Sequence, residues 1–137
     1  MTPRTQVEFL RVLDQREFRR LGGSKLIQVD IRIISATNKK LEDEVATGRF
    51  REDLFYRLNV IPLHVPPLRE RKEDIRPLAL HFLGEFCEEN HKAITSISPE
   101  VIDVFAKYSW PGNVRELKNV IERAVLLETS DTITTAH

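Results

Sequence analysis

The chain has 137 residues, 41% of them hydrophobic, enough to bury the core of one compact domain, or of half a larger domain joined to a small partner. Its 21 lysines and arginines equal its 21 aspartates and glutamates, and a net charge of zero excludes a global attraction to nucleic acid or to an anionic membrane. The single cysteine, Cys87, excludes an internal disulfide and fits a reducing cytoplasm.

His64, His81, His91 and His137 show no close ligand spacing, so no metal site is expected. No apolar run nears the roughly 20 residues of a membrane span and the amino terminus lacks a signal-peptide core, so the expected location is cytoplasmic. The charge balance conceals an asymmetry: residues 1–40 hold nine basic and four acidic side chains, an arrangement that suits contact between copies of one chain as well as dispersed solvated charge.

In chain order, Thr2 as cap and Pro3 at the first helical position start a helix with an apolar stripe of Val7, Leu10 and Leu13, ending near Asp14. "EFRRLGGSKLIQVD" reads as two short strands about a Gly22-Gly23 turn. "DIRIISATN" reads as a strand whose Ile33 and Ile34 are apolar on both faces, as in a covered sheet. A short helix around Leu41 and Val45 stops at Gly48, and a second, around Leu54, Phe55 and Leu58, leads to a strand "VIPLHV". Beyond "PPLRER" the character changes. Ile75, Leu78, Ala79, Phe82, Leu83 and Phe86 follow the spacing of an amphipathic helix, with Pro77 tolerable near its start.

Ser98-Pro99-Glu100 opens a further helix with Ile102, Phe105 and Ala106. In "WPGNVRELKNVIERAVLL", Asn113 is the expected cap and Glu116 completes an N-x-x-E box, with Val114, Leu117, Val120, Ile121 and Leu127 as the apolar face. The expected architecture is therefore an α/β fragment over 1–65, an all-helical subdomain over 66–130 and the start of a linker over 131–137, mostly α by content.

Several residues carry potential chemistry. "LGGSKL" has the residue types of a phosphate loop in the wrong order, and no G-x-x-x-x-G-K-[ST] occurs, so a hairpin turn is the better reading and ATP hydrolysis by this chain alone is not expected. Thr37 and Asn38 emerge where a parallel sheet would bind ligand; the asparagine could orient a water or cap the next helix. Arg115 lies at the start of its helix, where a cation is disfavoured by ~0.3–1 kcal/mol unless an anion is present. A phosphate there would reverse the sign; solvation or pairing with Glu116 is the alternative. In "GRFREDLFYRLNV" a short helix carries Arg51 and Arg57, one at each end.

"FREDLFYRLNVIPLHVPPLRERKEDI", preceded by "VDIRIISATN" and followed by "WPGNVRELKNVIERAV", closely resembles the central AAA+ ATPase domain of bacterial sigma-54-dependent transcription activators, the enhancer-binding proteins. The resemblance covers nearly the whole chain, with "FLRVLDQREFRRLGG" matching the segment downstream of the family's Mg²⁺-binding motif. It implies the carboxyl-terminal portion of that domain, with the phosphate loop, the acidic Mg²⁺ motif and the GAFTGA loop upstream and a helix-turn-helix downstream. It makes Asn38, with Thr37, the sensor I position, Arg51 and Arg57 the arginine fingers that act in a neighbouring subunit, and Arg115 the sensor II arginine. The hinge residues Leu68, Arg69 and Ile75 resemble the lining of the base pocket.

For the parent the resemblance implies ATP with Mg²⁺, a ring that is usually hexameric, sigma-54 RNA polymerase as partner, and DNA contact only through a domain absent here. No tight nucleotide binding by the 137 residues alone is expected. The alternatives are a helical interaction module acting by itself, or a DNA-binding helix-turn-helix over residues 98–127, which the acidic second half disfavours.

Overall fold

The computed structural model describes residues 1–135, and His137 lies outside the described residues. The chain forms two compact units, Met1–Leu63 and the residues from His64 onward. In both, helices are the main regular structure, and among the described residues each holds one two-stranded sheet.

The first unit opens with α1, Pro3–Gln15. Its start is satisfied locally, because the Thr2 hydroxyl accepts the Thr5 N–H at 3.2 Å and Pro3 has no N–H to leave unpaired. The helix ends at Arg16, which turns left-handed (φ 52°) and donates its N–H to Val12 at 3.0 Å. Strands β1 (Glu17–Arg19) and β2 (Leu26–Gln28) then pair antiparallel, with Phe18 opposite Ile27. Gly22, at φ 75°, supplies the left-handed position that the expected turn needs.

Helix α2 (Leu41–Ala46) is closed by Gly48 at φ 70°, after which the N–H groups of Arg49 and Phe50 fold back onto the Glu44 carbonyl at 2.9 and 3.0 Å. Helix α3 follows at Glu52–Leu58, anchored by fully buried Leu54 and packed against α1.

Two expected strands, in the segments "DIRIISATN" and "VIPLHV", are not formed. A strand's backbone groups need a ladder partner, and among the described residues of this unit the hairpin is the only sheet. Ile34, Ile61 and Leu63 are consequently 88%, 80% and 87% exposed.

In the second unit two single 3₁₀ turns, Leu68–Glu70 and Lys72–Asp74, lead into α4 (Ile75–Asn90). The expected stripe faces inward: Ile75, Ala79, Phe82, Leu83 and Phe86 are buried, with Leu78 packed at its margin. Helix α5 (Pro99–Lys107) starts with the Ser98 hydroxyl accepting the Val101 N–H at 3.4 Å, and α6 (Asn113–Leu127) lies against α4. Trp110 is 2% exposed and packs edge-on against Phe105, while its indole N–H donates to the Phe105 carbonyl at 2.7 Å, so burying the ring leaves no orphan donor.

Three details depart from expectation. The face α6 buries is Leu117, Ile121 and Val125, while Val120 and Leu127 stay 38% and 54% exposed. Asn113 does not cap: it is the first helical residue, left-handed at φ 52°, and its side-chain oxygen accepts the Leu68 N–H at 2.8 Å. The tail expected to begin a linker instead contributes β4 (Thr132–Ile133), parallel to β3 (Ser96–Ile97), and buries Ile133 in the core. Ile133 is one more aliphatic face for the small core, and Ser96 and Thr132 bridge hydroxyl to hydroxyl at 2.8 Å.

Candidate functional site

Within the first unit, α3 holds Arg51 and Arg57 at its two ends, Arg51 as the residue flanking its amino terminus and Arg57 in its last turn. A cation at a helix amino terminus is disfavoured, and the sequence answers with acids one and two residues later, Glu52 and Asp53. Asp53 takes the Arg51 guanidinium in a two-point grip, Nε to Oδ1 at 3.0 Å and Nη2 to Oδ2 at 2.7 Å. That hydrogen bond holds the Asp53 carboxyl below its ordinary value, with the Leu54 N–H adding to it, and holds the Arg51 guanidinium above its own.

Arg57 donates from Nε to Asp14 of α1 at 2.7 Å. Both arginines stay about half exposed, at 46% and 57% of the side chain, so each is oriented by one carboxylate and still open to a further anion. Asp14 and Asp53 were not among the site residues expected from the sequence. Asp53 was legible as an acid in the first turn of a helix that begins beside an arginine, whereas Asp14 lies 43 residues from Arg57 and carries no local signal.

Thr37 and Asn38 sit in the loop before α2. The Thr37 hydroxyl accepts the Lys39 N–H at 3.1 Å, making a tight local turn. Asn38 is exposed and does not cap α2, whose flanking residue is Lys40 with no side-chain cap, so the capping alternative is not realised.

In the second unit Arg115 is the third residue of α6, one place further in than expected. Its side chain is exposed and makes no hydrogen bond or ion pair among the described residues. Glu116, which could have paired with it, is engaged elsewhere: Oε2 accepts the Gly112 N–H at 2.8 Å and Oε1 accepts the Tyr108 hydroxyl at 3.2 Å, which raises the Tyr108 phenol above its ordinary value. A cation left unpaired at the positive end of a 15-residue helix is a poor stability element and a good anion ligand. Asn119 and Arg123 follow on the same face at four-residue spacing, and with Arg115 they line a cleft of about 1040 Å³ bounded by Val104, Phe105 and Leu127.

The three residues expected to line the base pocket differ in burial. Leu68 and Ile75 are buried in the core of the second unit, at 0% and 1% exposure, whereas Arg69 is exposed and reaches Glu70 at 3.4 Å. Among the described residues no group of three or more histidine, cysteine or acidic side chains gathers to hold a metal, and no helix is long and apolar enough to cross a membrane.

The sequence matches two family models that share out the chain: the sigma-54 interaction domain over residues 1–64 and the AAA+ ATPase lid domain over residues 69–137. Regulatory protein AtoC of Escherichia coli strain K12 is 56% identical over 128 residues, which are 93% of this chain and 28% of AtoC. The Nif-specific regulatory protein of Herbaspirillum seropedicae is 50% identical over 137 residues, all of this chain and 25% of that protein. Among solved structures, NtrX from Brucella abortus superposes with a TM-score of 0.92 at 42% identity, over 98% of this chain and 32% of that one. NtrX in complex with ATP superposes at 0.88. The chain thus spans about a quarter to a third of the length of these relatives.

Proposed function

The chain belongs to the sigma-54-dependent transcription activators of the AAA+ family, as the carboxyl-terminal portion of their ATPase domain, and from that premise we propose that it supplies the nucleotide-sensing and trans-acting parts of a ring ATPase. The ring remodels sigma-54 RNA polymerase from a closed to an open promoter complex, in the cytoplasm where the polymerase works. Arg51 and Arg57 act as fingers in the nucleotide site of a neighbouring subunit. Arg115 acts as sensor II within its own subunit, and Asn38 with Thr37 acts as sensor I. Leu68, Arg69 and Ile75 border the base.

One observation carries this reading: α3 presents two half-exposed guanidiniums, each aimed by a carboxylate of its own unit and neither buried. A finger has to be oriented beforehand and exchangeable on arrival, and this is what a single surface ion pair permits, since such pairs are worth only about 0–1 kcal/mol. The residues present also fit a nucleotide: unpaired Arg115 at the amino end of α6 is suited to a phosphate, and its neighbouring cleft is apolar enough to cover one side of a ligand. ATP supplies the phosphoryl group whose transfer to water drives the ring. The Mg²⁺ and phosphate-loop contacts come from sequence motifs that these 137 residues do not contain.

In this arrangement the fingers stabilise charge on the equatorial oxygens of the transferred group, an effect of roughly 10³–10⁵ in turnover. Alanine at Arg51 or Arg57 in the full-length protein is expected to leave ATP binding nearly intact and to remove most turnover. Mixing a finger-deficient protein with one lacking the phosphate-loop lysine tests action in trans. Rings that pair an intact loop with a neighbour's intact finger regain activity; no recovery at any mixing ratio, with mixed rings shown to form, sinks the proposal.

A further inference from the structure

Gln6 is a buried polar side chain, 2% exposed, in a unit whose other fully buried anchor is Leu54. It sits in the first turns of α1, beside the apolar stripe that continues through Val7 and Leu10, at a place where an aliphatic residue would fill the same space. Both halves of its amide are used. Oε1 accepts the Arg51 N–H at 2.8 Å, and Nε2 donates to the Arg49 carbonyl at 3.0 Å and, more weakly, to the Met1 carbonyl at 3.4 Å. The two strong bonds close on the backbone either side of Phe50, 43 and 45 residues away in sequence, where the chain leaves α2 and enters α3. The flanking residue Arg51 does not cap α3 with its side chain; the Gln6 amide on the Arg51 N–H and the Asp53 carboxylate, which accepts the Leu54 N–H at 2.8 Å, are the side-chain fixtures at its start.

We infer that Gln6 is a positioning residue for the arginine of the α3 amino terminus, fixing the Arg51 backbone from which the guanidinium is extended. The inference rests on the finger reading above. Its physical content is a division of labour: Asp53 sets the direction of the guanidinium, and Gln6 sets the point from which it starts. Asp14 adds a third hold, on Arg57, so α1 grips both ends of the seven-residue helix α3. A buried amide with both functions satisfied has one low-energy placement, whereas an aliphatic side chain packs equally well over a range of loop positions. Displacement of a reacting group by about 1 Å costs on the order of 10²-fold in rate.

The test uses the full-length ring-forming protein, with ATP turnover, the KM for ATP and ring assembly measured together. Gln6→Met keeps length and burial and removes both hydrogen bonds. It is expected to lower kcat about 10–100-fold with KM and assembly unchanged. Gln6→Glu retains an acceptor for the Arg51 N–H and is expected to fall between the two. Arg51→Ala, measured alongside, separates the two claims.

If Arg51→Ala lowers turnover while Gln6→Met and Gln6→Glu both stay within twofold of the parent, the finger stands and the role of Gln6 is overturned. If Arg51→Ala is itself without effect, the finger reading fails and the positioning role fails with it. A loss of assembly and of ATP affinity in step with kcat, in both Gln6 variants, assigns the residue to folding and also overturns the inference.

Discussion

Arg115 shows how a residue that contributes little to its own fold becomes interpretable. Its charge is opposed by the helix terminus, no carboxylate among the described residues offsets it, and the acid beside it is committed to Gly112 and Tyr108. Removing it therefore costs the folded chain little, and Arg115→Ala is expected to change the unfolding free energy by less than about 0.5 kcal/mol. On the proposed sensor II reading, the same substitution in the full-length protein deletes a charge-assisted bond to phosphate. A loss of about 1.5–3 kcal/mol, roughly tenfold to a hundredfold in nucleotide Kd, is expected by titration with ATP. Unchanged affinity together with unchanged turnover would return Arg115 to the class of solvated surface residues.

Among the elements, those whose signals are local were legible in the sequence. Gly22 and Gly48 take the left-handed conformation that their turns require, and the α4 stripe packs as its spacing predicts. Signals that depend on a distant partner were not. Ile33 and Ile34 announce a preference for burial in a sheet without saying which strand lies alongside, and the N-x-x-E pattern at Asn113 conceals that its amide is taken by Leu68, 45 residues earlier. Only the acidic half of the box forms, one residue ahead of its expected place, with Glu116 accepting the Gly112 N–H.

That shift gives Gly112 a steric duty. A Cβ there would lie 2.7 Å from the Glu116 Cβ, so Gly112→Ala is expected to destabilise by about 1–3 kcal/mol in urea unfolding. Gly84, in the middle of α4 with open space where a Cβ would stand, behaves oppositely, and Gly84→Ala is expected to stabilise by about 0.5–1 kcal/mol.

The connection between α2 and α3 carries a pH dependence. Glu44 is held below its ordinary carboxylate value, first by the Arg49 hydrogen bond and then by Lys39. A lowered folded value means that the contribution is present above the unfolded carboxylate value and is lost as pH falls through the folded one. Melting temperature is therefore expected to drop with acid below about pH 4.5, the ordinary Glu value, and the drop should be shallower in Glu44→Gln.

For the whole molecule, the proposed fingers Arg51 and Arg57 and the proposed sensor I residues Thr37 and Asn38 lie in the first unit, and the proposed sensor II residue Arg115 lies in the second. Lacking a phosphate-loop motif, the purified 137-residue chain is expected to release no phosphate from ATP above background in a coupled assay; release that Arg115→Ala abolishes would contradict this. The bare aliphatic side chains of Ile34, Ile61 and Leu63 bear on a different property, colloidal behaviour. With a net charge of zero there is no net repulsion to keep copies apart, so these exposed side chains are expected to lower the solubility of the chain. Light scattering is expected to show association that grows with protein concentration and persists in high salt, as apolar contact does and ion pairing does not. Ile34→Lys with Ile61→Lys is expected to raise the concentration at which it begins, so that a preparation of this chain is governed by residues from the two segments expected to be strands.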